Sequence, residues 1–122
     1  PYLPDICLME PIYDLDKNVT DVKLALQGTA VSSFYGEMTG KLVSAHPSSE
    51  VRGRITQSCQ KCVDTKAPIV TAADALSRER SYLKLKALYI PLSEDGVLIN
   101  KFFVHLTIEH HMRNTAPQPK DD

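Results

Sequence analysis

The chain has 122 residues, of which 43% are hydrophobic and 24% are charged, and its formal net charge at pH 7 is −1. This length and composition predict one globular domain whose core needs no disulfide or metal to fold. The interspersed charges lack the basic footprint of a nucleic-acid-binding protein, and no apolar run approaches the roughly 20 residues that span a bilayer. We therefore expect neither a nucleic-acid partner nor a membrane contact by this domain.

The beginning of the chain and its cysteines indicate a cellular compartment. The first residues have neither the basic nor the long apolar region of a signal peptide. The chain does not begin with Met, so we expect a processed chain or a piece of a longer protein that includes an output domain. Cys7, Cys59 and Cys62 are an odd number of thiols without a secretory signal, which favours free thiols in a reducing compartment. We expect a cytoplasmic protein.

Two strands are predicted near the beginning of the chain. Residues 6–13 are largely apolar, and Pro11 within them favours an edge position. A polar connection leads to a second strand at residues 22–26. Alternation places three apolar side chains of this strand on one face: Val22, Leu24 and Leu26.

Two helices are predicted in the middle of the chain. Apolar residues at helical spacing follow Gly28 and stop at Gly36. Ser48 or Ser49 suits the N-cap of a longer helix that runs to about Asp64. The apolar positions of this helix recur with a helical period and are Val51, Ile55, Cys59, Cys62 and Val63.

Three strands are predicted in the second half, at residues 68–76, 82–92 and 97–109. The segment Glu94-Asp95-Gly96 predicts a hairpin turn between the last two strands, because Asp-Gly tolerates positive backbone angles. Strands on both sides of a helical middle favour an antiparallel α+β domain over a parallel sheet. Residues 113–122 hold two prolines and several charges, so we predict one domain at 1–112 and a flexible tail or linker.

Three segments carry a pattern that other proteins share. They are Val22-Lys23-Leu24-Ala25-Leu26-Gln27-Gly28-Thr29-Ala30-Val31, Gly36-Glu37-Met38-Thr39-Gly40-Lys41 and Leu88-Tyr89-Ile90-Pro91-Leu92-Ser93-Glu94-Asp95-Gly96. These segments resemble the "RLVGTAI", "GRDLTGR" and "LLLPLSDDG" patterns of bacterial PAS sensory domains. The matching segments together cover most of the chain from Asp21 to Ile108. Leu24 stands where that group has an arginine, so the family role of that arginine is not carried over.

The resemblance implies an α+β, PAS-like, five-stranded antiparallel sheet with helices packed on one face. It also implies a sensory or signal-transduction module rather than an enzyme. A small ligand is expected between the long helix and the sheet, with its signal relayed through a homodimer or a flanking segment to a fused or separate output domain. The residues that we expect to contact the ligand are Phe34, Tyr35, Ile55, Cys59, Leu85, Ala87, Tyr89, Phe102 and Val104.

Two other functions are compatible with the sequence. Leu88 and Ile90 alternate away from the predicted inner face, and their exposed patch suits dimerisation or docking. The chain is then a dimerisation or protein-interaction module whose large inner side chains leave no room for a ligand. A small cone-shaped α+β enzyme is the third possibility. It needs a carboxylate or histidine inside the cone, where the expected residues are almost all apolar.

The cofactor, if one is bound, cannot be identified from these residues. PAS domains that bind flavin covalently have an Asn-Cys-Arg motif, which does not occur here. A haem-binding PAS domain often has an axial histidine on the long helix. That helix has none, and His46 just before it is the only substitute, which argues against haem. A non-covalent flavin stays open.

The remaining cysteine and histidine motifs predict no metal site and no catalytic site. Cys59 and Cys62 form a Cys-x-x-Cys pair, but they lie late in the helix and on its apolar stripe, which favours packing over redox chemistry or zinc. His105, His110 and His111 lie near the end of the last strand. Adjacent residues of a strand point to opposite faces, so these histidines favour a surface position over a shared ion.

Overall fold

A computed structural model describes residues 5–76 and 82–111 of the chain. The elements in chain order are β1 (Ile6–Tyr13), β2 (Val19–Gln27), α1 (Thr29–Tyr35), a 3-10 turn (Val43–Ala45), α2 (Ser49–Thr65), β3 (Ile69–Leu76), β4 (Tyr82–Leu92) and β5 (Lys101–His111). The predicted α+β class with a five-stranded antiparallel sheet is confirmed. The predicted tail at 113–122 lies outside the described residues. No helix in the described ranges is long and apolar enough to cross a membrane.

The strands lie in the order β2-β1-β5-β4-β3, and neighbouring strands run antiparallel. The first and last strands of the chain are therefore neighbours at the centre of the sheet. The edge position expected for β1 from Pro11 is wrong. The ladder between β1 and β5 covers only Ile6–Met9, and Pro11 lies beyond it, paired with Val22 of β2. Pro11, which has no N–H to donate, therefore lies in the part of β1 that pairs with β2 but not with β5.

The face predicted for Leu26 is also wrong, because β2 contains a β-bulge. Leu26 is paired with Leu8 while Leu24 is paired with Met9, so two steps along β2 match one step along β1. The extra residue turns Leu26 to the outer face of the sheet, where 52% of it is exposed. Val22 and Leu24 stay in the core.

The last strand begins at Lys101 and not at residue 97 as predicted. The carboxylate of Asp95 accepts hydrogen bonds from the backbone N–H groups of Val97 (2.8 Å) and Leu98 (3.0 Å). These two residues therefore belong to a turn that precedes the ladder. Gly96 in this turn has a φ of +79°, as expected for an Asp-Gly turn.

Helix α2 lies against the inner face of the sheet and forms one core with it. Its apolar stripe buries Ile55, Cys59 and Cys62, as the helical period predicts. Phe102 of β5 is the largest fully buried side chain of this core, with an exposed fraction of 0%. The hydroxyl of Ser48 caps the helix by accepting a hydrogen bond from the Val51 N–H (3.2 Å).

The cap of α2 yields a test of how this helix is held. We expect Ser48→Ala to lower the free energy of unfolding by about 1 kcal/mol, because the Val51 N–H loses its partner. Ser48→Asp should restore most of that loss. Ser49→Ala is the matched control, since Ser49 is exposed and should change little. Urea unfolding followed by circular dichroism measures all three, and an equal loss in Ser48→Ala and Ser49→Ala would contradict the cap.

Candidate functional site

A small cavity lies between the helices and the first two strands, on the inner side of the sheet. Its volume is about 10 Å³, which is room for about one water molecule. The residues that line it are Met9, Leu24, Gln27, Val31, Tyr35, Met38, Val43, His46, Val51 and Ile55. The lining is apolar except for the amide of Gln27, the phenol of Tyr35 and the imidazole of His46. It includes no carboxylate.

The structure divides the residues that we expected to contact a ligand. Tyr35 and Ile55 line the cavity. Six others are buried in the core and outside the cavity lining: Cys59, Leu85, Ala87, Tyr89, Phe102 and Val104. The side chain of Phe34 lies outside the described part of the structure. Ligand contact by any of the nine stays a prediction.

The imidazole of His46 joins the end of α1 to the beginning of α2. The Ser48 N–H donates to its Nδ1 (3.0 Å), so Nδ1 carries no proton and Nε2 is the protonated nitrogen of the neutral ring. Nε2 then donates to the backbone carbonyl of Tyr35 (3.0 Å). The guanidinium of Arg52 donates to the His46 carbonyl at 2.6 Å. Both ring nitrogens are therefore occupied, and binding haem iron through His46 would break one of these bonds.

Residues 36–46, which we call the cover, close the cavity from the side of β2. The Met38 N–H donates to the side-chain oxygen of Gln27 (2.6 Å), and the Gln27 amide donates to the Gly36 carbonyl (3.3 Å). Two backbone bonds join Leu24 to Gly40 and Lys41. Only two cover residues are buried, Met38 and Val43, and both line the cavity. The Ser44 N–H also donates to the Asp21 carboxylate (3.1 Å), and Leu42 forms a β-bridge with Lys23, so the cover is attached to β2 at several points along its length.

The two inner tyrosines are neutral hydrogen-bonding groups at ordinary pH. Burial raises the pKa of Tyr35, and the nearby guanidinium of Arg54 opposes that shift. Burial also raises the pKa of Tyr89 well above its ordinary value, with Cys59 adding to the effect. The Tyr35 ring meets the His46 ring edge-on, with 6.4 Å between the ring centres. Because their pKa values are raised, both phenols keep their protons and neither acts as a base.

The three thiols are packed into the core. Burial raises the pKa of Cys7 to about 12 and that of Cys62 to about 11, and it raises the pKa of Cys59 as well. The Cys62 thiol donates to the Ala67 carbonyl at 3.3 Å, at the turn that follows α2. A reactive or metal-binding cysteine needs a stabilised thiolate and therefore a lowered pKa, whereas burial raises the pKa of these three thiols. The packing interpretation of Cys59 and Cys62 agrees with this burial.

The described residues contain no cluster of three or more histidine, cysteine or acidic side chains that could hold a metal. His105 is exposed on the outer face of β5. The side chains of His110 and His111 lie outside the described part of the structure. The expectation that no metal is bound stays a prediction for the whole chain.

A row of apolar side chains crosses the opposite, outer face of the sheet. Strand register places Leu26 beside Leu8, Leu8 beside Phe103, and Phe103 beside Ile90. We call these four residues the outer stripe. Leu88 lies in the next row with Val70, which is 68% exposed. Sequence alternation predicted that Leu88 and Ile90 lie on the outer face. It did not predict the bulge that brings Leu26 into this row.

Eight residues that line the cavity were not among those that we expected to contact a ligand: Met9, Leu24, Gln27, Val31, Met38, Val43, His46 and Val51. Local sequence patterns cannot reveal the two polar ones, Gln27 and His46, as cavity residues. Each is a polar residue at the border of an element, where it reads as an ordinary loop or capping position. Their partners are 11 residues away in the chain, at Met38 and Tyr35.

In comparisons with known proteins, no family model and no curated protein matches this chain.

The raised thiol pKa values give a pH-dependent test. An unfolded thiol ionises near pH 8.5, whereas Cys7 in the fold ionises near pH 12. The stability contributed by this difference is complete below about pH 8.5 and is lost as the pH rises towards 12. Between pH 8.5 and 10, one such thiol should lower the free energy of unfolding by about 1.5 kcal/mol.

We therefore expect Cys7→Ala to show a smaller decline in stability over that pH interval than the unmodified chain. Urea unfolding at pH 8.5 and pH 10 measures the two declines. The decline is the difference between the free energies of unfolding of the same chain at the two pH values. Any loss of packing caused by the substitution lowers both values and cancels in this difference. Equal declines would contradict a buried neutral thiol at Cys7.

Proposed function

We propose that this chain is a PAS-type sensory or signal-transduction module in which a small ligand binds between the helices and the sheet. The order of its elements supports the proposal, since both helices lie between the second and third strands and α2 covers the inner face. The three segments with a PAS-like pattern support it independently. In the structure these segments form the end of β2 with the Gly28 turn, the first part of the cover, and the end of β4 with the turn that follows it.

The observation that carries the proposal is a small apolar cavity beneath a cover of which only two side chains are buried. A pocket for a small molecule has a volume of roughly 300–1,000 Å³, whereas this cavity measures about 10 Å³. A ligand can therefore enter only when the cover moves away from β2. Binding and conformational change are then one event, and a ligand that prefers the open form shifts the population towards it. That coupling is what a sensor requires.

The lining sets the chemistry of such a ligand. Most of the wall is aliphatic or sulfur-containing, from Met9, Leu24, Val31 and Ile55. Gln27 loses its partners Met38 and Gly36 when the cover opens, and His46, the last residue of the cover, is the second polar group at this edge of the cavity. The proposal thus favours a largely apolar molecule that carries one or two hydrogen-bonding groups. A carboxylate-rich or strongly charged molecule does not fit this wall.

Native mass spectrometry of the freshly purified chain tests ligand binding. We expect a bound mass that is released on denaturation. Val31→Ile adds a methyl group to the buried wall and should reduce the bound fraction at least about tenfold, because overpacking of this kind destabilises the occupied form. Val70→Ile on the exposed face is the matched control and should retain the bound mass. A chain that carries no releasable mass would count against a tightly held ligand.

The small volume of the cavity favours a second candidate, a dimerisation or interaction module without a ligand. Its core is filled, and its function then depends on the outer stripe. Leu8, Phe103 and Ile90 are neighbours on three central strands, while Leu26 on the edge strand is half exposed. Rows of apolar side chains on a sheet face are surfaces on which a second copy or an output segment can pack.

Sedimentation velocity of the purified chain tests pairing through the outer stripe. We expect a homodimer, and we expect Ile90→Lys to raise its dissociation constant at least about tenfold, because an unpaired ammonium in an apolar interface is costly. Lys61→Gln, on the exposed side of α2, is the control for a change in charge. Circular dichroism checks that both variants stay folded. A dimer unaffected by Ile90→Lys would place the interface elsewhere.

A further inference from the structure

A second recess lies at the end of the sheet where three connections meet, away from the cavity. These are the β1–β2 turn, the segment after α2 and the β4–β5 loop. The recess has a volume of about 450 Å³, within the range of small-molecule pockets. Its apolar wall comes from Val63, Val97, Leu98 and Ile99. Val97 is 71% exposed.

Two lysines with left-handed backbone border this recess. Lys17 has a φ of +67° and Lys66 has a φ of +53°, and they are the only non-glycine residues with positive φ among those described. This conformation is unfavourable for a residue with a Cβ atom, and glycine or asparagine usually occupies it. Lys66 takes it at the C-cap of α2, and Lys17 takes it in the β1–β2 turn.

The charges of both lysines are available. Within the described ranges the ion pair joins Arg54 to Glu50, and neither Lys17 nor Lys66 takes part in one. Asp95 also borders the recess, but its carboxylate accepts from the Val97 and Leu98 N–H groups. These bonds, with one from the Ser93 hydroxyl, hold its pKa below the usual value, so Asp95 keeps a negative charge at its side of the recess and an anion must bind on the side of the lysines. The end of α2 accounts both for a cation and for a left-handed backbone at residue 66, where the Lys66 N–H closes the helix on the Cys62 carbonyl, but it does not account for a lysine at residue 17.

The loops around the recess are held in place by hydrogen bonds. The Tyr13 hydroxyl donates to the Ile99 carbonyl at 2.6 Å and fixes the β4–β5 loop to β1. The Asp14 carboxylate accepts from the N–H groups of Asp16 and Asn18, both at 2.9 Å, and shapes the turn that presents Lys17. The recess is therefore formed before any ligand arrives, which lowers the entropic cost of binding.

We propose that this recess binds a small amphipathic anion. Its apolar body lies on Val63, Val97 and Leu98, and its anionic head lies between Lys17 and Lys66. A medium-chain carboxylate has this chemistry. The size of the recess, and two lysines that form no ion pair with any described residue, favour a small molecule over a second copy of the chain. The site is independent of the cavity beneath the cover and of the PAS resemblance.

Titration of the full chain with octanoate, followed by amide chemical shifts, tests the site at low ionic strength. We expect shifts concentrated at Val63, Lys66, Val97 and Leu98. We also expect affinity to fall about two- to fivefold for each lysine removed and to fall as salt is added. Lys17→Asn and Lys66→Asn remove the charge yet suit the left-handed backbone, so both variants should stay folded and melt no lower than the unmodified chain. Lys86→Gln, exposed on the outer face of the sheet, is the matched control.

Octylamine and 1-octanol separate charge recognition from simple apolar binding. The proposal predicts that octanoate binds more tightly than either compound. It is overturned if octanoate shifts no recess amides, if octylamine binds as well as octanoate, or if the double variant Lys17→Asn/Lys66→Asn binds octanoate as tightly as Lys86→Gln does. A loss of binding in Lys86→Gln equal to that of the double variant would also overturn it, because binding would then depend on overall charge.

Discussion

The packing of α2 against the inner face of the sheet is the interaction on which the rest of the structure depends. Phe102, Cys59 and Cys62 each have an exposed fraction of 0% and belong to the one core that the helix and the sheet share. Burying an aromatic side chain in this way contributes several kcal/mol, and no hydrogen bond of the fold is worth as much. Because the helix is fixed along its middle, its two ends have fixed positions above the sheet. Each end then forms part of a different recess.

The beginning of α2 helps to form the inner cavity, and its end helps to form the recess with two lysines. At the first end, Ser48 caps the helix and the His46 ring connects it to α1. At the other end, Lys66 closes the helix in a left-handed conformation and its N–H returns to the Cys62 carbonyl (2.8 Å).

Much of the fold was predictable because it depends on short-range periodicity. The stripe of Ile55, Cys59 and Cys62 recurs with a helical period, and the inner faces of β4 and β5 alternate as strands should. The errors have local causes that alternation does not express. A bulge in β2 moves Leu26 to the outer face. The Val97 N–H donates to the carboxylate of Asp95, so Val97 belongs to the turn before β5 and not to the strand. The cavity was only partly predictable, since Gln27 and His46 become cavity residues through partners distant in sequence.

The central claim is that the cover opens more easily than the core beneath it. Native-state hydrogen exchange of the full chain, read residue by residue, tests this claim most directly. The account predicts that the hydrogen-bonded amides of Met38 and Gly40 exchange at least about tenfold faster than those of Phe102 and Cys59, through a local opening that denaturant barely affects. Cover amides that exchange only with global unfolding, at the rate of the β5 amides, would contradict it.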